Sequence, residues 1–150
     1  MGLSADRDTP ATIMQGGRRK AYRPLPPAAR RAALDEGLAA YDRGEWFEAH
    51  ELLEPAWMGT ADIPERELYQ ALIKLAAAHV HRQRGNALGM ARNLTGARSR
   101  LAAAIVGGAD DQGLTLGALL AAIDDRMALL AALGEGSASS VPVIPVSRRG

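Results

Sequence analysis

The sequence contains no cysteine in its 150 residues. A disulfide scaffold, a thiolate zinc site, a redox dithiol and a cysteine nucleophile are therefore excluded. No long apolar run lies near the N-terminus, and the most apolar later segment, residues 114–133, is interrupted by Asp124, Asp125 and Arg126. These absences predict a cytoplasmic protein that has neither a secretory signal nor a membrane partner.

No stretch of the sequence alternates polar and apolar residues as a half-buried strand does. Apolar residues instead recur at spacings of three and four, which predicts helices over roughly residues 28–41, 45–54, 63–83, 86–105 and 114–133. Pro55 predicts a kink or stop in the second helix. The expected fold is all-α, a compact bundle of about five helices in antiparallel hairpins with tetratricopeptide-like packing.

Glycine, proline and scattered charge at both ends of the chain indicate little regular structure there. The predicted organisation is a flexible basic arm over residues 1–24, a helical domain over residues 25–134 and a loose tail over residues 135–150. One domain of this size can bury a core without disulfides or metal.

Charge is distributed unevenly, although the formal net charge is only +1. Acidic residues are concentrated between Asp35 and Glu67, whereas Leu68 to Ala109 contains only basic charges. The basic stretch from Arg82 to Arg100 suggests phosphate or nucleic-acid binding. Mutual neutralisation of helices two and three, with solvated arginines elsewhere, is the favoured interpretation, so nucleic acid is not the expected partner.

The most unusual chemistry lies between Glu48 and Glu54, where three carboxylates and an imidazole occupy two helical turns. His50 and Glu54 are four residues apart and could ligate a divalent metal on one helix face. By analogy with zincin motifs, Glu51 could act as a general base. The alternative is that His50 and Glu54 form a structural hydrogen-bonded pair at the edge of the core.

Helix three contributes a second set of candidates. Gln70, Lys74 and His81 lie on one stripe, at spacings of four and seven, and His81 is the best candidate for a third metal ligand. His79 projects about 160° away from His81 and is assigned to packing or surface instead. For Gln70 and Lys74 the favoured interpretation is a polar stripe that faces the acids of helix two.

The ordered motifs resemble one family. The sequence has Phe47-Glu48-Ala49 and His50-x-x-x-Glu54-x-x-Trp57, followed by Gln70-Ala71-Leu72-Ile73 and His81-x-x-Arg84-Gly85-Asn86. Over roughly residues 30–105 this resembles the bacterial and archaeal domain of unknown function 309. The resemblance implies a helical, repeat-like domain in which His50, Glu54 and Trp57 carry a motif suggested to bind metal, with Gln70 and His81 as secondary matches. Pro55 and Lys74 depart from the usual pattern and weaken the expectation of metal binding here.

Three functional hypotheses follow. The favoured one is a binding or interaction module for a protein or small-molecule partner, with a site centred on His50 and Glu54 and bordered by Glu48, Trp57, Gln70 and Lys74. The second is a hydrolase that requires a divalent metal held by His50, Glu54 and His81. The third is phosphate or nucleic-acid binding through the basic stretch.

Overall fold

The structure, a computed structural model, describes residues 12–134 and 136–149. Its elements in chain order are β1 (Thr12–Gln15), β2 (Arg18–Ala21), α1 (Pro27–Asp42), α2 (Trp46–Met58), α3 (Ile63–Gln83), α4 (Ala87–Val106), α5 (Leu116–Leu133) and a 3-10 turn (Ala138–Ser140). Consecutive helices pack against each other from α1 to α5. The predicted all-α bundle is confirmed, whereas tetratricopeptide-like packing stays a prediction.

Local chemistry explains the helix boundaries. Asp62 and Asn86 cap α3 and α4 by accepting hydrogen bonds from backbone N–H groups three residues later. Gly44 and Gly85 follow α1 and α3 with φ of 76° and 71°, a conformation that glycine adopts without a steric penalty. Each glycine forms the paired backbone bonds of a Schellman turn. Short connections of this kind bring α1 onto α2 and α3 onto α4.

Helix α2 does not stop at Pro55, and the predicted stop is therefore wrong. The helix continues to Met58 with Pro55 inside it. Pro55 lies on the exposed side of α2, where water can reach the Glu51 carbonyl that has lost its donor. Leu53 and Ala56 are fully buried and hold the final turn against the core. Because the helix continues, Trp57 stays on the same helix as His50 and Glu54.

The described part of the predicted arm is not structureless. Thr12–Gln15 and Arg18–Ala21 pair as an antiparallel hairpin, while residues 1–11 lie outside the described residues. Gly16 and Gly17 have φ of 59° and 75°, as the two-residue turn requires. The hairpin is held by tertiary contacts rather than by a strand-like sequence pattern, because Gln15 is 2% exposed and bonds to side chains of α2 and α3.

The C-terminal segment is also packed rather than loose across residues 141–146. Val141 and Ile144 are fully buried. The amide of Ile144 donates to Nε2 of His79 at 3.1 Å, and Tyr41 donates to the Ile144 carbonyl at 2.6 Å. Pro142 and Pro145 interrupt any strand pattern in this segment, and its backbone groups bond to side chains of the helices instead of to a neighbouring strand.

Of the two roles that the sequence left open for His79, packing or surface, the structure shows packing. It is completely buried, stacks on Trp46 at 4.6 Å between ring centroids and lies edge-on to Tyr41. Since Nε2 accepts from Ile144, Nδ1 carries the proton and donates to the Leu75 carbonyl at 2.9 Å. Burial is the main cause that lowers the pKa of His79 to about 4. The neutral ring therefore fastens the C-terminal segment to α3.

The apolar core is formed by the facing sides of the five helices. Helix α3 is central, and its buried residues extend from Arg66 to His79. None of the helices in residues 12–134 and 136–149 is long and apolar enough to cross a membrane.

Candidate functional site

A polar pocket lies where α2, α3 and α4 meet. Its volume is about 120 Å³, and it is lined by residues from all three helices: His50, Glu54, Trp57, Gln70, Ile73, Lys74, Ala77 and Asn93. Helical spacing brings these side chains together, because His50, Glu54 and Trp57 share one face of α2 and Gln70 and Lys74 share one face of α3. The structure thus brings together five of the residues that the sequence singled out.

His50 lies at the edge of this pocket and has one polar atom without a hydrogen-bond partner among the described residues. Its Nδ1 is buried and has no hydrogen-bond partner among the described residues. The nearest carboxylate oxygens belong to Glu51 and Glu54, at 3.6 and 3.9 Å, which is beyond an ordinary hydrogen bond. The predicted structural pair of His50 and Glu54 is therefore in proximity without being hydrogen-bonded.

Arg66 contacts both the ring and the backbone of Trp57. The guanidinium of Arg66, which is fully buried, lies 4.9 Å from the centroid of the Trp57 ring. Arg66 also donates to the carbonyls of Trp57, Thr60 and Ala21, at 3.0, 3.1 and 3.0 Å. Arg66 therefore joins the end of α2, the loop after it and the hairpin, and positions the indole at the wall of the pocket.

Gln15 of the hairpin determines how Gln70 presents its amide. The Gln15 oxygen accepts from Trp57 Nε1 at 3.1 Å and from Arg66 Nε at 3.2 Å. Both groups can only donate, so the other end of the Gln15 amide must be its NH₂. That NH₂ donates to Gln70 Oε1 at 2.6 Å and to Glu67 at 3.0 Å. With its oxygen occupied, Gln70 keeps its own NH₂ free of any partner among the described residues.

Lys74 brings an uncompensated positive charge to the pocket. Its pKa is lowered by burial and then by the nearby charges of Arg100 and Lys20. No ion pair of the described residues includes Lys74, whereas Arg100 pairs with Glu67 at 3.1 Å. The Lys74 side chain lies across Gly96 of α4, where an added Cβ would come within 2.8 Å of Lys74 Cδ. Gly96 thus provides the space in which Lys74 lies.

The other predicted site residues lie elsewhere. His81 is not part of the pocket wall: its ring packs over Gly89, and its Nδ1 is 3.1 Å from Nδ2 of Asn86. Glu51 approaches His50 from the exposed side of α2. Glu48 is exposed, and a hydrogen bond with Glu45 together with its charge raises the Glu48 pKa. Neither glutamate lines the pocket.

The family resemblance implies a bound metal, and the positions of the candidate ligands test whether this pocket could hold one. Within residues 12–134 and 136–149, no three His, Asp or Glu side chains are close enough together to hold a metal ion. His50 and Glu54 supply two donors, and the third side chain with charge in the pocket is the cation Lys74. The residues of this pocket therefore do not fit a divalent metal centre with three protein ligands.

The basic stretch is largely used inside the molecule. Arg82 donates to the carbonyls of Val141 and Ser139, Arg98 pairs with Asp124, and Arg100 pairs with Glu67. Arg84, Arg92 and Arg98 are exposed. The contacts of Arg82, Arg98 and Arg100 join α3, α4, α5 and the C-terminal segment, so none of them is the predicted neutralisation between helices two and three.

Sequence reasoning missed Gln15, Arg66 and Asn93. Gln15 belongs to a segment without a strand signal, and its partners are more than forty positions away in the sequence. Arg66 lies within a charged turn of α3 where solvent exposure is the usual outcome. A signal was present for Asn93, which follows Asn86 by seven residues and so lies two turns further along the same face of α4.

Together, the fold and the pocket define an α-helical domain with a polar cavity between three of its helices. A family model described as a domain of unknown function (DUF309) matches residues 34–93. This match agrees with the family resemblance expected from the sequence motifs and covers residues 34–93. No curated protein and no solved structure matches the chain. The matched segment contains every residue that lines the pocket.

Proposed function

We propose that the protein is a binding module whose ligand is a small polar molecule held in the pocket between α2, α3 and α4. One observation carries this proposal: several residues that line one cavity have hydrogen-bonding groups without a partner among the described residues. They are His50 with its buried Nδ1, Gln70 with its NH₂ and Lys74 with its ammonium. Buried polar groups are normally satisfied, so unsatisfied groups around a cavity favour a ligand.

The two other hypotheses have less support. A metal-dependent hydrolase needs a third ligand, and His81, the predicted one, lies outside the pocket wall. A nucleic-acid surface needs free cations, and the internal contacts of Arg82, Arg98 and Arg100 reduce the number of cations available. The favoured interpretation of the site is therefore binding rather than metal-assisted catalysis.

The test is a ligand-observed NMR screen of the full-length protein against a library of small polar metabolites. Each hit is repeated with His50→Ala and with His81→Ala. The second variant is a matched control, because it removes the same ring from a position outside the pocket. We expect hits that His50→Ala weakens several-fold and that His81→Ala leaves unchanged.

Two results would contradict the proposal. One is a screen without hits while both variants fold as the parent does. The other is a set of hits that respond equally to the two alanine variants, which would place binding outside this pocket. Thermal unfolding of each variant is measured alongside, so that loss of binding is separated from loss of the fold.

A further inference from the structure

The pocket contains two opposite charges that do not neutralise each other. Lys74 of α3 and Glu54 of α2 both line it, yet none of the ion pairs of the described residues joins them. Among the described residues, Glu54 is paired with the ring of His50, at 3.9 Å, and the charges that act on Lys74 are the cations Arg100 and Lys20. The pocket wall therefore carries a positive side chain, Lys74, and a negative one, Glu54, that are not paired with each other among the described residues.

Gln70 and Lys74 together supply the donor groups of a carboxylate-binding site. Gln70 and Lys74 are four residues apart on α3, so their polar ends project from neighbouring turns of one face. The chain of hydrogen bonds from Trp57 and Arg66 through Gln15 leaves Gln70 with a free NH₂. An amide NH₂ beside an ammonium supplies two donors to a carboxylate, and one of them is charge-assisted.

The size of the cavity limits the ligand. Its volume of about 120 Å³ equals roughly the liquid volume of four water molecules. This space suits a small ligand group of about five to seven heavy atoms. A small molecule that carries both charges would satisfy Lys74 and Glu54 at once.

We propose that the ligand is a small zwitterion with a carboxylate held by Gln70 and Lys74 and an amino group held by Glu54. This inference rests on the proposed function and names the ligand class of the same pocket. His50 lies beside Glu54 and so borders the amino group of the ligand. Its ring shapes this part of the pocket and offers a hydrogen-bonding group to the ligand. The indole of Trp57, held in place by Arg66, forms part of the pocket wall.

The experiment is a titration of ¹⁵N-labelled full-length protein with glycine, β-alanine, acetate, methylamine and phosphate at constant ionic strength. Lys74→Met keeps the aliphatic stem and removes the charge, and Glu54→Gln keeps the shape and removes the charge. We expect the two zwitterions to bind at least about tenfold more tightly than acetate or methylamine. Each charge-removing variant should weaken zwitterion binding by about tenfold or more, because each removes one charge-assisted contact.

Gly96→Ala provides a variant that leaves every pocket group in the chain. The new Cβ would come within 2.8 Å of Lys74 Cδ and 3.5 Å of its Nζ, so the flexible end of Lys74 must move. Gly117→Ala is the matched control, because a Cβ there meets nothing within 4 Å. We expect Gly96→Ala to weaken zwitterion binding several-fold without lowering the unfolding midpoint, and Gly117→Ala to leave binding unchanged.

The outcomes separate this inference from the proposed function. Equal affinity for acetate and glycine, or for phosphate and glycine, would refute the proposal that Glu54 holds an amino group of the ligand. If none of these five probes binds while neutral metabolites from the library still shift the pocket resonances, the zwitterion is wrong and the binding module stands. If neither the probes nor the library shift those resonances, both are wrong.

Discussion

The buried imidazole of His79 makes the stability of the protein depend on pH in a calculable way. Burial lowers its pKa from 6.5 to about 4 in the folded chain, with Arg82 and Arg126 adding to the decrease and the Leu75 carbonyl opposing it. Between these two pH values the unfolded state binds a proton that the folded state does not. The contribution of neutral His79 to the free energy of unfolding is therefore fully present above pH 6.5 and is lost as the pH falls towards 4.

The size of the effect follows from the shift. A difference of about 2.5 pKa units corresponds to roughly 3 kcal/mol in total, of which about 2 kcal/mol is lost between pH 7 and pH 5. Protonation at Nε2 would also remove the acceptor for the Ile144 amide. In the folded chain this protonation occurs only as the pH falls to about 4, so the C-terminal segment should detach from α3 near that pH.

The assay is urea unfolding at pH 7 and pH 5 for the parent and for His79→Gln. Glutamine offers an oxygen near the position of Nε2 and does not titrate, so the variant lacks the linked proton. We expect the parent to lose about 2 kcal/mol more than the variant over this range. Parallel pH profiles for the two proteins would refute the reasoning, since carboxylates that titrate in both proteins cancel in the comparison.

Two further predictions concern packing and the hairpin. Gly37→Ala should destabilise the fold by about 1–2 kcal/mol, because its Cβ would come within 2.6 Å of the buried side chain of Leu53, whereas Gly117→Ala should stabilise it by up to about 1 kcal/mol. Urea unfolding of both variants checks this, and an unchanged midpoint for Gly37→Ala would mean that α1 and α2 pack less closely. Gln15→Ala should lower stability by about 2–3 kcal/mol, because it leaves the polar groups of Trp57, Arg66 and Gln70 without their common partner. The indole N–H resonance of Trp57 should shift in this variant while that of Trp46 does not; equal shifts would argue against a local effect.

The helices were predictable because each carries its own boundary signals. Asp62 and Asn86 are residues that cap a helix start, and Gly44 and Gly85 end the preceding helices with the same turn. The two turns have similar sequences, Arg43-Gly44-Glu45 and Arg84-Gly85-Asn86, which lie 41 residues apart. Pro55 was misleading because the cost of a proline depends on whether water reaches the freed carbonyl, which a sequence does not state.

The two ends of the chain illustrate what local patterns miss. Gln15 and Ile144 lie in segments whose polar backbone and side-chain groups are satisfied by residues far away in the sequence. Neither segment has a helical or strand-like period, and composition alone indicates disorder. Their order comes from single, well-placed acceptors and donors on α2 and α3, so it depends on the tertiary fold that those helices build.

Part of the candidate site could be predicted from the spacing of residues in the sequence, and part of it depends on tertiary packing. The i, i+4 pairs His50 with Glu54 and Gln70 with Lys74 could be placed on two helix faces from the sequence, and the structure turns those faces towards one cavity. What the spacing could not supply was the orientation of Gln70. That orientation is imposed by Gln15, whose own amide is oriented by two groups that can only donate. The hairpin therefore acts on the chemistry of the pocket as well as on the stability of the fold, because it converts Gln70 into a hydrogen-bond donor beside Lys74.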